Sequence, residues 1–432
     1  MRILSAGAAK PSSTALVAGG AKIESGGSSG GGGGGATVNA INKTGAVLNE
    51  GDKVWLNQYS QEAGNKLEFT TQYALTTVSR DGDFVMTNQT ASASPMTIYS
   101  ADGDLSLSTV TSINQQAGRI GTVKYGPDNS MFLLPISGQG GTSRIDGEKQ
   151  WTNTTYWYQG DNIFSYQNSS TYEYYKIDLE TGNILKTYVA TDGSTYQSIP
   201  YGAVFLKGRI YSGAYYFGYK YYTLDDEAGQ AVPTGYSLGN GGNAGYSFLS
   251  VTSDEKFIIG FSNWSSAQGA FANFTSSTGL RLISVVGYNL TIMPQTEMPQ
   301  DMQRWYDKAC FIVFNPYTGI LTCTEKLGTD YGVYKYNGDK WETLIIDLEG
   351  VFTSKFNKFT SGLVVSDNLS RCAVAVGDTI NGYRGRVINL TTIKGYTANS
   401  YKAYLVNNET ITGYAKSEAE ANQEVKVNIA SK

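Results

Sequence analysis

The chain has 432 residues, of which 41% are apolar, enough for a sizeable core, while only 16% are charged. Its formal net charge is −4 with Lys and Arg scattered, so there is no basic stripe of the kind nucleic-acid binding needs, and no apolar run approaches the length of a membrane span. The complete absence of His removes Ser-His-Asp and Cys-His catalysis, His-ligated zinc and His acid–base chemistry together. Residues 1–36 are small and polar and end in the Gly-rich run Gly26–Gly35, which reads as a flexible tether behind an extended N-terminal arm. The arm's apolar residues, Ile3, Leu4, Leu16, Val17 and Ile23, are its candidate anchoring contacts. The N-terminus has no apolar run of signal-peptide length, so the chain is expected to be made in a cytosol and kept there, or released by a route other than standard secretion.

Residues 37–57 read as two short strands around a turn, and 400–432 has the same style, with strand-like runs at Lys402, Glu409 and Glu424. We expect 37–60 and 400–432 to come together as one small β module. Between them, 61–399 carries a repeat in which a turn, usually with an Asp, leads into an apolar strand. It occurs at Asp81, Asp128, Asp161, Lys207, Asp254, Asp307 and Asp367. The six intervals average roughly 48 residues, a period that in an all-β chain indicates a propeller. A second signal, a hairpin with a polar tip, follows most of these turns, as at 97–107, 175–185, 222–232, 272–282 and 388–396. The sixth unit breaks the rhythm, with tips at 315–319 and 337–339. Helical periodicity is nearly absent, Ser417–Asn422 being the best short candidate. The expected fold is therefore all-β: a β-propeller of about seven blades, a small β module formed by both chain ends, and an extended N-terminal arm.

The turn Asp residues read as turn formers, because an Asp side chain accepts hydrogen bonds from nearby backbone. Cys310, Cys323 and Cys372 have no metal-site spacing and read as buried thiols, although Cys310 and Cys323 flank one turn. No metal, cofactor or catalytic residue is expected. The aromatic clusters supply the candidate binding residues: Trp151, Trp157, Tyr158, Tyr215, Tyr216 and Trp264, whose ring faces beside Asn, Ser and Gln suit sugar rings.

The Gly-rich run feeding Val38-Asn-Ala-Ile-Asn-Lys-Thr-Gly-Ala-Val-Leu-Asn-Glu-Gly-Asp-Lys-Val-Trp-Leu resembles segments of tailed-bacteriophage virion proteins, particularly tail- and fibre-associated ones. Ile411-Thr-Gly-Tyr-Ala-Lys and Glu424-Val-Lys-Val-Asn-Ile are similar to the closing strands of the same kind of module. This resemblance covers the two ends alone. It implies a non-enzymatic structural or adhesive virion component, assembled in host cytoplasm and present in multiple copies per particle. Its expected partners are other virion proteins, reached through the arm, and host surface polysaccharide. The alternatives are a glycan-binding or glycan-degrading propeller, which would need two facing carboxylates, and a bacterial surface or scaffold propeller.

Overall fold

The computed structural model describes residues 37–42, 47–58, 61–71, 76–87, 96–102, 105–113, 120–125, 131–135, 142–144, 150–151, 155–159, 162–166, 173–178, 183–191, 203–214, 218–236, 245–263, 277–346, 348, 351–378, 382–392, 401–405, 413–420 and 423–429. The arm at 1–36 lies outside them. The chain divides into two compact units, 60–392 and a second formed by 1–59 with 393–432.

The larger unit is a β-propeller of seven antiparallel blades. Blade one is Thr76–Val78, Phe84–Thr87, Met96–Ala101 and Leu107–Ile113; blade two is Ile120–Tyr125, Met131–Pro135, Thr142–Arg144 and Gln150–Trp151. Blade three is Thr155–Gln159, Asn162–Tyr166, Glu173–Asp178 and Ile184–Ala190; blade four is Ala203–Leu206, Arg209–Ala214, Gly218–Asp225 and Gln230–Tyr236. Blade five is Gly245–Val251, Phe257–Asn263, Ser277–Val286 and Asn289–Ile292; blade six is Cys310–Asn315, Ile320–Glu325, Tyr331–Tyr336 and Trp341–Leu344. Blade seven takes Lys358–Phe359 with Val364–Val365 as its first strand, then Arg371–Asp378 and Gly382–Thr392. Its fourth strand, Gln61–Thr71, comes from the start of the unit and pairs antiparallel with Gly382–Thr392, Gln61 opposite Thr392 and Thr71 opposite Tyr383.

Each blade is covered by its neighbours, so inner strands are apolar on both faces rather than alternating. Cys372, Ala373, Val374, Ala375 and Val376 are all buried. The cores accordingly lie between blades. Val78, Val85 and Ile98 of blade one pack with Tyr125 of blade two and with Val364, Ala373 and Val387 of blade seven. Leu249, Ile259 and Leu280 of blade five pack with Ile312, Phe314 and Leu321 of blade six. Similar cores join blades six and seven, and four and five. Each such side chain contributes roughly 1.5–3 kcal/mol by leaving water.

The turns joining first to second strands show why the repeat has its sequence. In 79–84, Ser79 Oγ donates to the Asp81 carboxylate, Asp83 N–H also donates to Asp81, and Phe84 N–H donates to Ser79 Oγ. The same bonds recur in 252–257, with Thr252, Asp254, Lys256 and Phe257, and in 366–371, with Ser366, Asn368, Ser370 and Arg371. The fourth position has a positive φ in each case, at Gly82 (89°), Glu255 (57°) and Leu369 (56°). The motif is thus Ser/Thr, any residue, Asp/Asn, then a left-handed residue. The Asp is a turn former at Asp81 and Asp254; at Asp367 that role passes to Asn368. Asp128 and Asp161 lie outside the described residues.

A second device repeats at the seams. A cation from the first turn of one blade donates to a carbonyl in the last turn of the next: Lys207 Nζ to Gly287 O at 3.0 Å, Lys256 Nζ to Gly338 O at 2.7 Å, and Arg371 Nη2 to Asp102 O. Arg371 also donates to the Gly82 and Ala101 carbonyls and to Asn389 Oδ1, so it ties blade seven to blade one where the ring closes. Blades three and four are joined differently: their outer strands pair in parallel, Val189 opposite Gln230, and Tyr188 donates to Asp226.

The smaller unit is a closed five-stranded barrel in the order Thr37–Asn42, Tyr401–Leu405, Lys53–Gln58, Gly413–Ala415, Glu424–Ile429. Both chain ends supply its core: Ala40, Leu48 and Val54 pack with Ala415, Ala419, Val425 and Val427. Buried Asn42 donates through Nδ2 to Ala419 O at 2.8 Å.

Several local expectations are corrected. Strands Thr37–Asn42 and Lys53–Gln58 do not pair with each other; Tyr401–Leu405 lies between them. The helix candidate at 417–422 is bend and bridge through its described residues, with Ala419 bridged to Leu48. Asp307 precedes the first strand of blade six, whose equivalent turn is 315–319; there Asn315 Oδ1 accepts from Tyr317 and Thr318 N–H. The irregularity of unit six is therefore one strand of misregister, and the enlarged element is the connection before it, with 3-10 turns at Gln295–Glu297 and Gln300–Trp305. The tip read at 275–279 falls inside or beside strand Ser277–Val286, and the actual turn is Gly287–Tyr288. The tip read at 388–396 is no hairpin either, since Gly382–Thr392 pairs with Gln61–Thr71.

Arg371→Ala should lower unfolding stability by roughly 2–4 kcal/mol, because it leaves several seam acceptors without their charged donor; urea denaturation of the purified chain measures this.

Candidate functional site

Because strands alternate in direction, the ring has two unlike ends. At one, first strands pass to second and, in blades one to six, third to fourth, by connections of five residues or fewer, 252–256 being an example. At the other, second strands pass to third and each blade passes to the next. The segments there include 191–202, 264–276, 293–309 and 345–357. Long connections held on a rigid ring are where binding groups are most readily placed.

Of the candidate aromatics, Trp151 ends the fourth strand of blade two, at the long-connection end, with Thr142 opposite it. Tyr215, Tyr216 and Trp264 lie outside the described residues, but the strands bounding them, Arg209–Ala214 and Phe257–Asn263, end on that same side. Trp157 and Tyr158 do not join this group. Trp157 is the middle residue of Thr155–Gln159, opposite Phe164, and Tyr158 follows it towards the turn end, opposite Ile163. The arm residues Ile3, Leu4, Leu16, Val17 and Ile23 also lie outside the described residues.

At the turn end, side chains of four consecutive blades converge. Arg80 donates through Nε (2.9 Å) and Nη2 (2.7 Å) to Asp367 Oδ2, and Asn315 Nδ2 donates to Asp367 Oδ1 at 2.6 Å. The Arg80 guanidinium lies 4.3 Å from the Tyr317 ring centre. Tyr125 of blade two is buried beside them; burial first, and then the Asp367 charge, push its hydroxyl far above the usual phenol range. Asp367 therefore has its acceptors answered from blades one and six at once. This cluster spends its charges on holding the ring, and breaking such a partly buried pair from one side leaves the other charge without its partner. Neither Arg80 nor Asn315 was singled out in the sequence. The available signal was Arg80's place in the first turn motif.

The connection 293–309 caps the core between blades five and six. Met298, Met302 and Trp305 are buried in it. Trp305 Nε1 donates to Tyr334 Oη at 2.6 Å, and Tyr334 Oη donates to Asp301 O at 3.0 Å. Above it, Lys308 pairs with Asp330 (2.8 Å) and Glu325 (3.7 Å), and Arg304 with Asp301 and Asp330. Gly279 makes the close approach possible. Its φ is 56°, and a Cβ there would lie 1.8 Å from Tyr306 O. Beneath the cap Cys310 and Cys323 are buried, and burial raises the Cys323 thiol well above its usual range. Cys372 is likewise pushed up to about 12 by burial. Cys323 and Cys372 are therefore protonated, unreactive thiols at neutral pH. Among the described residues, no cluster of three or more Cys, Asp or Glu is arranged to hold a metal ion.

Asp254 links a turn to the next blade. Tyr336 Oη donates to its Oδ2 at 2.8 Å, Thr252 Oγ1 donates to Oδ1 at 2.8 Å, and Lys256 Nζ lies 3.4 Å away. Burial works to raise its pKa, but the bonds from Thr252, Tyr336 and Lys256 outweigh burial and hold the carboxyl below its ordinary range.

Two expectations follow. A carboxyl depressed in the folded state supplies stability that is complete above its unfolded value, near 3.9, and is lost as pH falls through the folded value. Asp254→Asn should therefore flatten the loss of stability as pH falls below about 4, read from urea midpoints across a pH series. Gly279→Ala should cost roughly 2–4 kcal/mol by forcing the cap off blade five, seen in the same denaturation assay.

No family model matches the chain, and no curated protein matches it. Among solved structures it is similar to a chain in "Crystal Structure of Mitotic Checkpoint Complex", with 9% identity and a TM-score of 0.44, covering 77% of this chain and 94% of that one. A likeness at that distance has no bearing on binding or activity.

Proposed function

We propose that this protein is a non-enzymatic structural and adhesive component of a tailed-bacteriophage virion, tail- or fibre-associated. In this reading it is anchored to other virion proteins by its N-terminal arm and presents the propeller for assembly and host-surface contact. The observation that carries the adhesive part is the inequality of the ring's two ends. The turn end is consumed by hydrogen-bonded turns, seam ties and the Arg80–Asp367–Asn315 cluster. The long connections are gathered at the other end, where Trp151 sits and the strands flanking Tyr215, Tyr216 and Trp264 terminate. Aromatic rings beside Asn, Ser and Thr suit stacking on sugar rings, so the partner class at that end is host surface polysaccharide. The virion part rests on the likeness of the terminal segments to phage virion proteins and on the Gly-rich tether ahead of Thr37.

Deleting residues 1–36 should abolish incorporation into particles while the propeller keeps its far-ultraviolet spectrum and melting temperature; normal incorporation overturns the anchoring role. In a binding assay on host-cell polysaccharide, Trp151→Ala with Trp264→Ala should weaken retention about tenfold or more. Release of reducing ends by the wild-type protein would replace adhesion with hydrolysis.

A further inference from the structure

The dipeptide Asn-Gly begins at Asn240, Asn337 and Asn381, and of these only Asn337-Gly338 lies wholly within the described residues. It forms the exposed tip between the third and fourth strands of blade six, Tyr331–Tyr336 and Trp341–Leu344. Its Gly338 carbonyl is also the acceptor that Lys256 reaches across the seam from blade five. We propose that this tip is a self-modifying site: the Gly338 nitrogen attacks the Asn337 side-chain amide, and the deamidation that follows unfastens the seam between blades five and six.

The tip is arranged for that reaction. Among the described residues Gly338 N–H donates no hydrogen bond, so the nucleophile is free. Gly338 has a φ of 96°, and a Cβ built on it would meet nothing within 4 Å, so its surroundings are open. Asn337 Oδ1 accepts from the Asp339 and Lys340 N–H groups, both at 3.1 Å. These donors face the oxygen on which negative charge develops in the tetrahedral intermediate, so the turn supplies an oxyanion hole. Asn337 Nδ2, the leaving nitrogen, donates to Glu342 Oε1 at 3.3 Å, and Lys340 Nζ lies 3.1 Å from that same oxygen. A carboxylate placed there can pass to the leaving nitrogen the proton that Gly338 gives up.

The bond from Gly338 N to Asn337 Cγ forms as Gly338 N loses its proton; the Cγ–Nδ2 bond breaks and ammonia departs, leaving a cyclic imide. Water then opens the imide at one carbonyl or the other, giving aspartate or isoaspartate at position 337. No electrons change hands, and water is the only other reactant. Isoaspartate carries the side-chain methylene in the main chain, so the path from 337 to 338 is longer. Gly338 O then moves away from Lys256 Nζ, which it meets at 2.7 Å in the unmodified chain.

The test is to age the purified full chain in neutral buffer, folded and in urea. Trypsin releases Tyr336–Lys340 as one peptide, in which the change from amide to acid is read by mass; isoaspartate is read by methyl transfer from S-adenosylmethionine. The folded chain should convert about tenfold faster than the chain in urea; an equal or slower folded rate overturns self-catalysis. Glu342→Gln should remove most of that difference while converting like wild type in urea, and an unchanged folded rate overturns the part given to Glu342. Hydrogen exchange then reads the seam. The isoaspartate-bearing chain should exchange at least about tenfold faster at the amides of 257–263 and 331–336 than fresh chain. Asn337→Asp, which adds the charge without lengthening the main chain, should exchange like fresh chain. Unchanged exchange after conversion overturns the unfastening. None of these outcomes depends on what the propeller binds.

Discussion

A ring of blades has no continuous backbone ladder around it, and this protein is shaped by how it compensates. Hydrogen-bonded pairing runs radially within each blade, so, apart from the short parallel pairing of blades three and four, the forces around the ring are apolar packing between faces and a few side-chain hydrogen bonds. Those bonds follow one design at three described seams: Lys207, Lys256 and Arg371 each reach from a first turn to a carbonyl in the last turn of the following blade. A cation meeting a carbonyl forms a stronger bond than a neutral donor does, and it needs no partner side chain, so only one of the two blades must carry a particular residue. The seam between blades six and seven uses neutral hydroxyls instead of cations, with Thr322 and Thr324 donating to the Leu363 and Ser361 carbonyls.

This division explains what could be read directly. The turn motif was legible because its chemistry is local: Asp81 and Asp254 accept from backbone N–H groups two residues away, and such contacts leave a fixed spacing in the chain. The seam cations Lys256 and Arg371 belong to that motif and Lys207 to a two-residue turn at the equivalent place, yet their partners lie about 80 residues on for Lys207 and Lys256, and across the ring closure for Arg371. Spacing alone cannot pair them. Misregister arose where two signals coincide. Asp307 precedes the apolar run Cys310–Phe314 as a turn Asp would, but that run is a first strand. At 275–279, Gly279 looked like a hairpin tip because Gly there serves a different need, the close passage of Tyr306.

The candidate site was legible only in part, and for a physical reason. Aromatic residues are used in strands for packing as well as at surfaces for binding, so Trp157 and Tyr158 resembled Trp151 until topology separated the two ends of the ring. The polar cluster at the turn end was only faintly marked in the sequence: Arg80 and Asp367 stand in the repeated turns, but nothing local pairs them with each other or with Asn315.

The closing strand also imposes an order of events during synthesis. Gln61–Thr71 leaves the ribosome early, but its partner Gly382–Thr392 is made more than 300 residues later. At ordinary elongation rates the strand waits roughly 16–60 s before it can pair. The barrel strands Thr37–Asn42 and Lys53–Gln58 wait longer still for Tyr401–Leu405 and Glu424–Ile429. Blades one to six can mature behind the ribosome in sequence, whereas blade seven and the barrel are finished only after translation of the C-terminal segment. Nascent chains therefore carry unpaired β edges at their oldest end, the period in which neighbouring chains on one message could pair with each other instead of with themselves.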